Sequence, residues 1–338
     1  MSSNVEPVRR RLRTTDDFGG VEIDVIDAGP TGGPVIVLSH GFPESSYSWR
    51  HQIAPLAEAG WRVLVPDQRG YAASSVPHQI EAYRSDHLST DLLALLDDVG
   101  AEAATFVGHD WGSLLVWDLA RYHPDRIAGV INVSVPYTPW PMAPTELFRQ
   151  TYGDRFFYML HFQKVGLAES ELDADVEHTM RSILWAASAQ MAGPPTPVEE
   201  LPHEDDGGFI DSFSRRQAIP DGVPPWMTER DLAVYVDQFT MSSFFGPVSW
   251  YRNLDADWEL TKDLPAPPMP CAFIGGAQDP VISHRMEYVE SQALTLPDYR
   301  GHRLIEGAGH WTQQERPAEF NAELASLLSA IGVPSPGS

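Results

Sequence analysis

Apolar residues fall into short runs of two kinds along the first half of the chain. VEIDVID (21–27) alternates apolar and polar positions, the pattern of a strand with one covered face. PVIVLSHG (34–41), WRVLVPD (61–67), ATFVGHD (104–110) and IAGVINVS (127–134) are near-continuous instead. Such runs suit strands buried on both faces of a parallel sheet. Between them the spacing becomes helical. Leu88, Leu92, Leu95, Leu96 and Val99 share one face, and Gly100 stops it. Leu114, Leu115, Trp117, Leu119 and Tyr122 predict another helix, ended before Pro124. Strands alternating with helices imply right-handed crossovers and an α/β fold with a mostly parallel central sheet.

The rhythm breaks near 136, where Pro136, Pro139, Pro141 and Pro144 follow closely. From there to about 262 the chain carries aromatics and helical patches, with a Pro/Gly/Asp-rich loop stretch at 193–225. Strand rhythm returns with PCAFIGG (270–276) and HRLIEGAG (302–309), and a last helix is expected near 317–331. The expected organisation is a loose polar N-terminal arm (1–20), a core in two parts (21–136 and 263–338), and a helical insertion (137–262).

Composition narrows the partners. A length of 338 residues suits one large α/β domain with an insertion, or two domains. There are 47 acidic residues against 23 basic ones, a net charge of −24, and only Lys164 and Lys262 are lysines. Nucleic acid and anionic membranes reward the opposite sign. A hydrophobic fraction of 43% still argues for a folded body. The single Cys271, in CAFIGG, cannot form an intrachain disulfide or a multi-thiolate metal site and reads as core. No apolar stretch is long enough to span a membrane. Arg9, Arg10, Arg11 and Arg13 are followed by Thr14, Thr15, Asp16 and Asp17, not by the apolar segment of a signal peptide. A cytoplasmic location is the expectation, and a homodimer is compatible with it.

The chemistry centres on Gly108-His109-Asp110-Trp111-Gly112, between a predicted buried strand and a helix. Paired glycines allow the sharp turn that pushes the middle residue into a site, and that residue is Asp110. Its plainer alternative is a helix N-cap. Asp279, in GGAQDP, and His310, in EGAGHW, also follow predicted strand ends. Alone they would be a turn former and a solvated loop histidine. Together the order is nucleophile, acid, histidine, as on α/β-hydrolase scaffolds, and all three lie where open α/β sheets build their sites. His40-Gly41-Phe42-Pro43 ends another strand; without the Asp110 turn it would be an ordinary Gly-Pro turn. With it, the backbone N–H groups of Phe42 and Trp111 become candidates for an oxyanion hole.

HGFPE (40–44), SWRHQ (48–52), PDQRGY (66–71), GHDWG (108–112), WYRN (250–253) and GHWTQQERP (309–317) resemble the soluble epoxide hydrolases of the α/β-hydrolase superfamily. The resemblance covers about residues 20–330. HG-x-P and GHDWG alone fit haloalkane dehalogenases too, the alternative reading. The resemblance implies an α/β-hydrolase fold with a helical cap, an aspartate nucleophile (Asp110), a water-activating pair (His310 and Asp279) and two cap tyrosines. Matching the motifs places these at Tyr158, in FYMLHFQ, and Tyr251, in WYRN, with Tyr71, Tyr152 and Tyr235 as nearby decoys. It also implies that Glu44 helps to orient the hydrolytic water, although an exposed acid at a helix start is a comparable reading. His109 would tune the water network or support the turn, His40 would brace the loop, and Pro43 is a candidate to contact the substrate or support the site. The expected substrates are a small lipophilic epoxide and water, with no metal or organic cofactor. A serine-type esterase is disfavoured by aspartate at the turn. A non-enzymatic receptor of the same fold would tolerate loss of His310.

Overall fold

The computed structural model describes residues 7–214, 218–283 and 286–332. Eight strands make one sheet: β1 (Val8–Asp16), β2 (Gly19–Ala28), β3 (Val35–Ser39), β4 (Arg62–Pro66), β5 (Ala104–His109), β6 (Ile127–Val133), β7 (Cys271–Gly276) and β8 (Tyr299–Ile305). Their order is β1-β2-β4-β3-β5-β6-β7-β8. β1 and β2 pair antiparallel, as do β2 and β4, and the remaining neighbours are parallel. Helices of the core are α1 (Ile53–Glu58), α2 (Ser85–Val99) and α3 (Trp111–Tyr122). Period-2 alternation sends neighbouring side chains to opposite sheet faces. Val37, Leu64 and Phe106 therefore join the cluster under α2 and α3, while Ile36, Val63 and Val107 join the one on the other face. This double burial is why those runs are continuous in the sequence.

The chain leaves the sheet after β6 and returns at β7. Between them lie α4 (Pro144–Tyr152), α5 (Tyr158–His161), α6 (Leu167–Leu172), α7 (Val176–Ala186), α8 (Phe209–Ser214), α9 (Glu229–Ser242), α10 (Phe245–Arg252) and α11 (Leu254–Thr261). After β7 follow α12 (Pro280–Ser283), α13 (Met286–Thr295), α14 (Thr312–Glu315) and α15 (Pro317–Ala330). The stretch 193–225, expected as loop, thus contains a short helix. Its Phe209 and Ile210 are buried, which anchors the turn despite the surrounding proline and glycine.

The expected loose arm is corrected. Residues 1–6 lie outside the described residues, but β1 pairs along its whole length with β2, from Val8 opposite Asp27 to Asp16 opposite Gly19. Acidic partners take up its arginines: Arg9 bonds Asp24 and Asp67, and Arg10 bonds Asp27 and Asp98. The polarity that suggested an arm is that of an edge strand made up of ion-pair partners. Arg69 ties the hairpin inward. It meets Asp91 with two bonds of 2.8 Å and also contacts Asp16 of β1.

Candidate active site

Asp110 stands alone between the end of β5 and the start of α3, at φ 52° and ψ −118°. This is a sparsely populated region for a residue with a Cβ. The turn closes because its flanks are bare: a Cβ on Gly108 would strike the Gly112 carbonyl, and one on Gly112 would strike the Ser39 carbonyl. Asp110 makes no side-chain cap to α3. Its Oδ1 accepts the Phe42 N–H at 2.8 Å instead. The other oxygen, Oδ2, lies 3.6 Å from His310 Nε2. Gly41 makes this approach possible, since a Cβ there would lie 2.5 Å from Asp110 Cβ. Burial would raise the Asp110 pKa, but the hydrogen bond and charge of His310, the charge of His109 and the Phe42 N–H hold it below the ordinary carboxylate value.

His310 lies between two carboxylates. Its Nδ1 is 3.2 and 3.1 Å from the two oxygens of Asp279, and Nε2 faces Asp110. Asp279 is fully buried, and its Oδ1 also accepts the Val281 N–H at 2.8 Å. Burial alone would lower the His310 pKa; Asp279 and Asp110 override it and carry it well above the usual value. The His310 backbone is pinned as well, donating to the Ala187 carbonyl at 2.8 Å and accepting from His109 Nε2 at 2.8 Å.

The two sequence-matched tyrosines lie beside each other, with Tyr251 against the Phe42 and Trp111 rings that flank Asp110. Tyr251, buried on α10, has its ring 5.3 Å from Phe42 and 4.8 Å from Trp111. Tyr158, at the first turn of α5, lies 5.9 Å from Tyr251, ring centre to ring centre. Gln163 joins their helices, donating to the carbonyls of Met159 and Tyr251 at 2.9 Å each. Burial first, then the fields of Tyr158, Asp110 and Tyr71, push the Tyr251 phenol well above its usual pKa, despite a hydrogen bond with the Trp111 side chain. Tyr251 is therefore a neutral phenol, not a phenolate, at neutral pH. Tyr152 stacks on Phe157, and Tyr235 bonds Gln314.

The HGFPE segment runs beneath. His40 is buried; its Nε2 accepts the Gln68 N–H at 3.0 Å and its Nδ1 donates to the Gly41 carbonyl at 3.1 Å. Both ring nitrogens are committed, and burial lowers its pKa, so it braces the loop as a neutral ring. The Phe42–Pro43 peptide is cis. Glu44 is fully buried, unlike an exposed helix-start acid. It accepts from Gly41 N at 3.2 Å, His109 Nδ1 at 2.6 Å, Gln313 Nε2 at 3.1 Å and Gln314 Nε2 at 2.9 Å. Burial opposes its ionisation, yet His109, His40 and the Gly41 N–H hold its pKa below the ordinary value. Among the described residues, no group of three or more His, Cys, Asp or Glu side chains could hold a metal.

The chain is 44% identical to epoxide hydrolase A of Mycobacterium tuberculosis over 318 residues, 93% of this chain and 96% of that protein. It belongs to the epoxide hydrolases of the α/β-hydrolase superfamily. The alpha/beta hydrolase fold family matches residues 34–164. Epoxide hydrolase A from Mycobacterium thermoresistibile superposes with a TM-score of 0.86 at 44% identity, over 96% of this chain and 98% of that one. Bifunctional epoxide hydrolase 2 of Sus scrofa is 35% identical, over 91% of this chain and 53% of its own length.

Three contributions to this candidate site were not assigned from the sequence. Gln313 and Gln314 hold Glu44 from α14, although WTQQER was visible as a motif. Phe209, from the stretch expected as loop, packs 5.4 Å from Tyr158. Tyr71, set aside as a decoy, packs 4.8 Å from His40. The PDQRGY motif was the available signal for it.

Proposed function

We propose that this epoxide hydrolase works through a covalent ester on Asp110. A carboxylate is ionised at neutral pH and needs no base to attack saturated carbon. With Oδ1 held by the Phe42 N–H, Oδ2, which faces His310 Nε2 at 3.6 Å, is the oxygen that forms the new C–O bond. The epoxide C–O bond breaks, and Tyr158 and Tyr251 of the helical cap (137–262) hydrogen-bond and protonate the developing alkoxide.

Ester formation removes one of the two negative charges that keep a proton on His310. Its proton affinity falls, and the neutral imidazole can then deprotonate water while Asp279 orients the ring. Hydroxide adds to the ester carbonyl. The resulting oxyanion is met by the N–H of Phe42 and by that of Trp111, which as first residue of α3 has no carbonyl to bond within its helix. Collapse expels the ester-linked oxygen, which takes the proton from His310 to complete the vicinal diol, and the proton of the regenerated Asp110 carboxyl returns to the ionised tyrosine, restoring both groups. His109, bonded to both Glu44 and the His310 carbonyl, fixes the base from behind, and His40 and Pro43 hold the loop. A small lipophilic epoxide suits the rings of Phe42, Trp111, Phe162 and Phe209.

The observation that carries this reading is one imidazole between two carboxylates, with the Phe42 N–H on Asp110 and two tyrosine rings side by side in the insertion. The test is His310→Gln. After exposure to styrene oxide, the variant should retain the mass of an Asp110 ester and release little diol. An unmodified, folded variant sinks the two-step scheme. In ¹⁸O water, a single turnover of wild type should place mostly enzyme-derived, unlabelled oxygen in the diol.

A further inference from the structure

Tyr71 is 1% exposed, and its hydroxyl has no hydrogen-bond partner among the described residues. A buried phenol left this way is costly unless something in the working cycle occupies it. Its ring is held edge-on by His40 at 4.8 Å, Trp250 at 5.7 Å and Phe239 at 6.1 Å. Two of these neighbours adjoin site residues along the chain. His40 precedes Gly41, on which Asp110 packs, and Trp250 precedes Tyr251. The charges of Asp110 and Glu44 both act on the phenol, burial being the larger influence, so it stays protonated.

Hydrolysis of an Asp110 ester needs a water with two hydrogens placed. One goes to His310 Nε2. The other needs an acceptor near the ester. Glu44, the expected candidate, already accepts four hydrogen bonds, which matches the capacity of a carboxylate. Asp279 is behind the imidazole, on Nδ1. Tyr158 and Tyr251 serve the former epoxide oxygen.

We propose that the Tyr71 hydroxyl positions the hydrolytic water by accepting the hydrogen that His310 does not take. This rests on the two-step reading above. In the step, one water O–H bond breaks toward His310 Nε2, a new C–O bond forms at the ester carbonyl, and the C=O π pair moves onto the carbonyl oxygen as the oxyanion. The second O–H stays intact and rests on Tyr71 Oη. Tyr71 is a positioning residue for the second half-reaction only.

The experiment is single-turnover kinetics on Tyr71→Phe with styrene oxide, followed by tryptophan fluorescence and intact mass. The alkylation rate should be unchanged, ester hydrolysis should slow about tenfold, the worth of one hydrogen bond, and ester should accumulate at steady state. The melting temperature should not fall, because no protein partner is lost. Hydrolysis at the wild-type rate, or equal slowing of both steps, overturns the proposal. His310→Gln run in parallel separates the two readings: no ester there means that the two-step scheme itself has failed. If Tyr71→Phe does not fold, Tyr71→3-fluorotyrosine keeps the ring and weakens the acceptor. Slower hydrolysis with unchanged alkylation then supports the role, and unchanged hydrolysis refutes it.

Discussion

At Asp110, the backbone and the side chain constrain each other. A non-glycine residue at φ 52° is held there by close packing of Gly41, Gly108 and Gly112 around it. Gly41→Ala tests this directly. The new methyl would lie 2.6 Å from Oδ1, so the carboxylate must leave the Phe42 N–H. Loss of one such donor costs roughly 100- to 1000-fold in kcat, and a far smaller loss in a steady-state assay would count against the contact. The pKa shifts make a second prediction. Asp110 is lowered and His310 raised in the free enzyme. As pH falls, ester hydrolysis should fail first, because His310 must be neutral to act as base. Alkylation should persist at pH values near about 4, where an ordinary aspartate is half protonated. Stopped-flow traces across pH would separate the two limbs, and parallel loss of both would contradict the assignment. At this scale much was legible: Asp110, Asp279 and His310 each follow a strand end. Tyr71 was not, because an unpartnered hydroxyl is defined by its surroundings.

Among elements, the contact of α11 with α2 and α3 has its own acid-base character. Asp257 of α11 accepts the Ser85 N–H at 2.8 Å, and Ser85 Oγ lies 3.0 Å from Tyr122 Oη. Asp118 of α3 also bonds Ser85, and both carboxyls border a cavity of about 90 Å³ with Trp111, Trp140 and Trp258. Burial pushes Asp118 up to about 7, with the Ser85 bond and Arg121 opposing, and burial plus the Asp118 charge pushes Asp257 well above its usual value. A raised carboxyl pKa means that the folded state binds the proton more tightly, so stability falls as pH rises from about 4 to about 7. Asp118→Asn should therefore raise Tm at pH 8 by about 2–4 °C, the equivalent of about 1 kcal/mol. At pH 4 it should change little. Equal effects at both pH values in calorimetry would refute the coupling. Arg69 is the other joint. Its side chain is fully buried between Asp91 and Asp16. Arg69→Met should cost about 3–5 kcal/mol in denaturant unfolding, because two buried carboxylates lose their partner.

Across the whole molecule, a net charge of −24 sets a field that opposes compactness. Salt should therefore stabilise: raising NaCl from about 0.02 to about 0.5 M shortens the Debye length severalfold and should raise Tm. A Tm that falls would mean that ion pairs such as Arg9–Asp24 outweigh the repulsion. The surplus of acids also explains where the sequence misled. Arginines in the first 13 residues looked like a solvated arm, but their partners lie far along the chain, at Asp67 and Asp98. By itself the sequence determined the mostly parallel sheet, the helical interruption and the strand-end positions of Asp110, Asp279 and His310. These follow from periodicity and turn chemistry, which are local. Only the tertiary structure decided that β1 closes the sheet edge, that Glu44 is saturated by donors from Gly41, His109 and α14, and that Tyr71 lies beside the site. Each depends on groups that meet across long stretches of chain, and hydrogen-bond capacity can be counted only once those neighbours are in place.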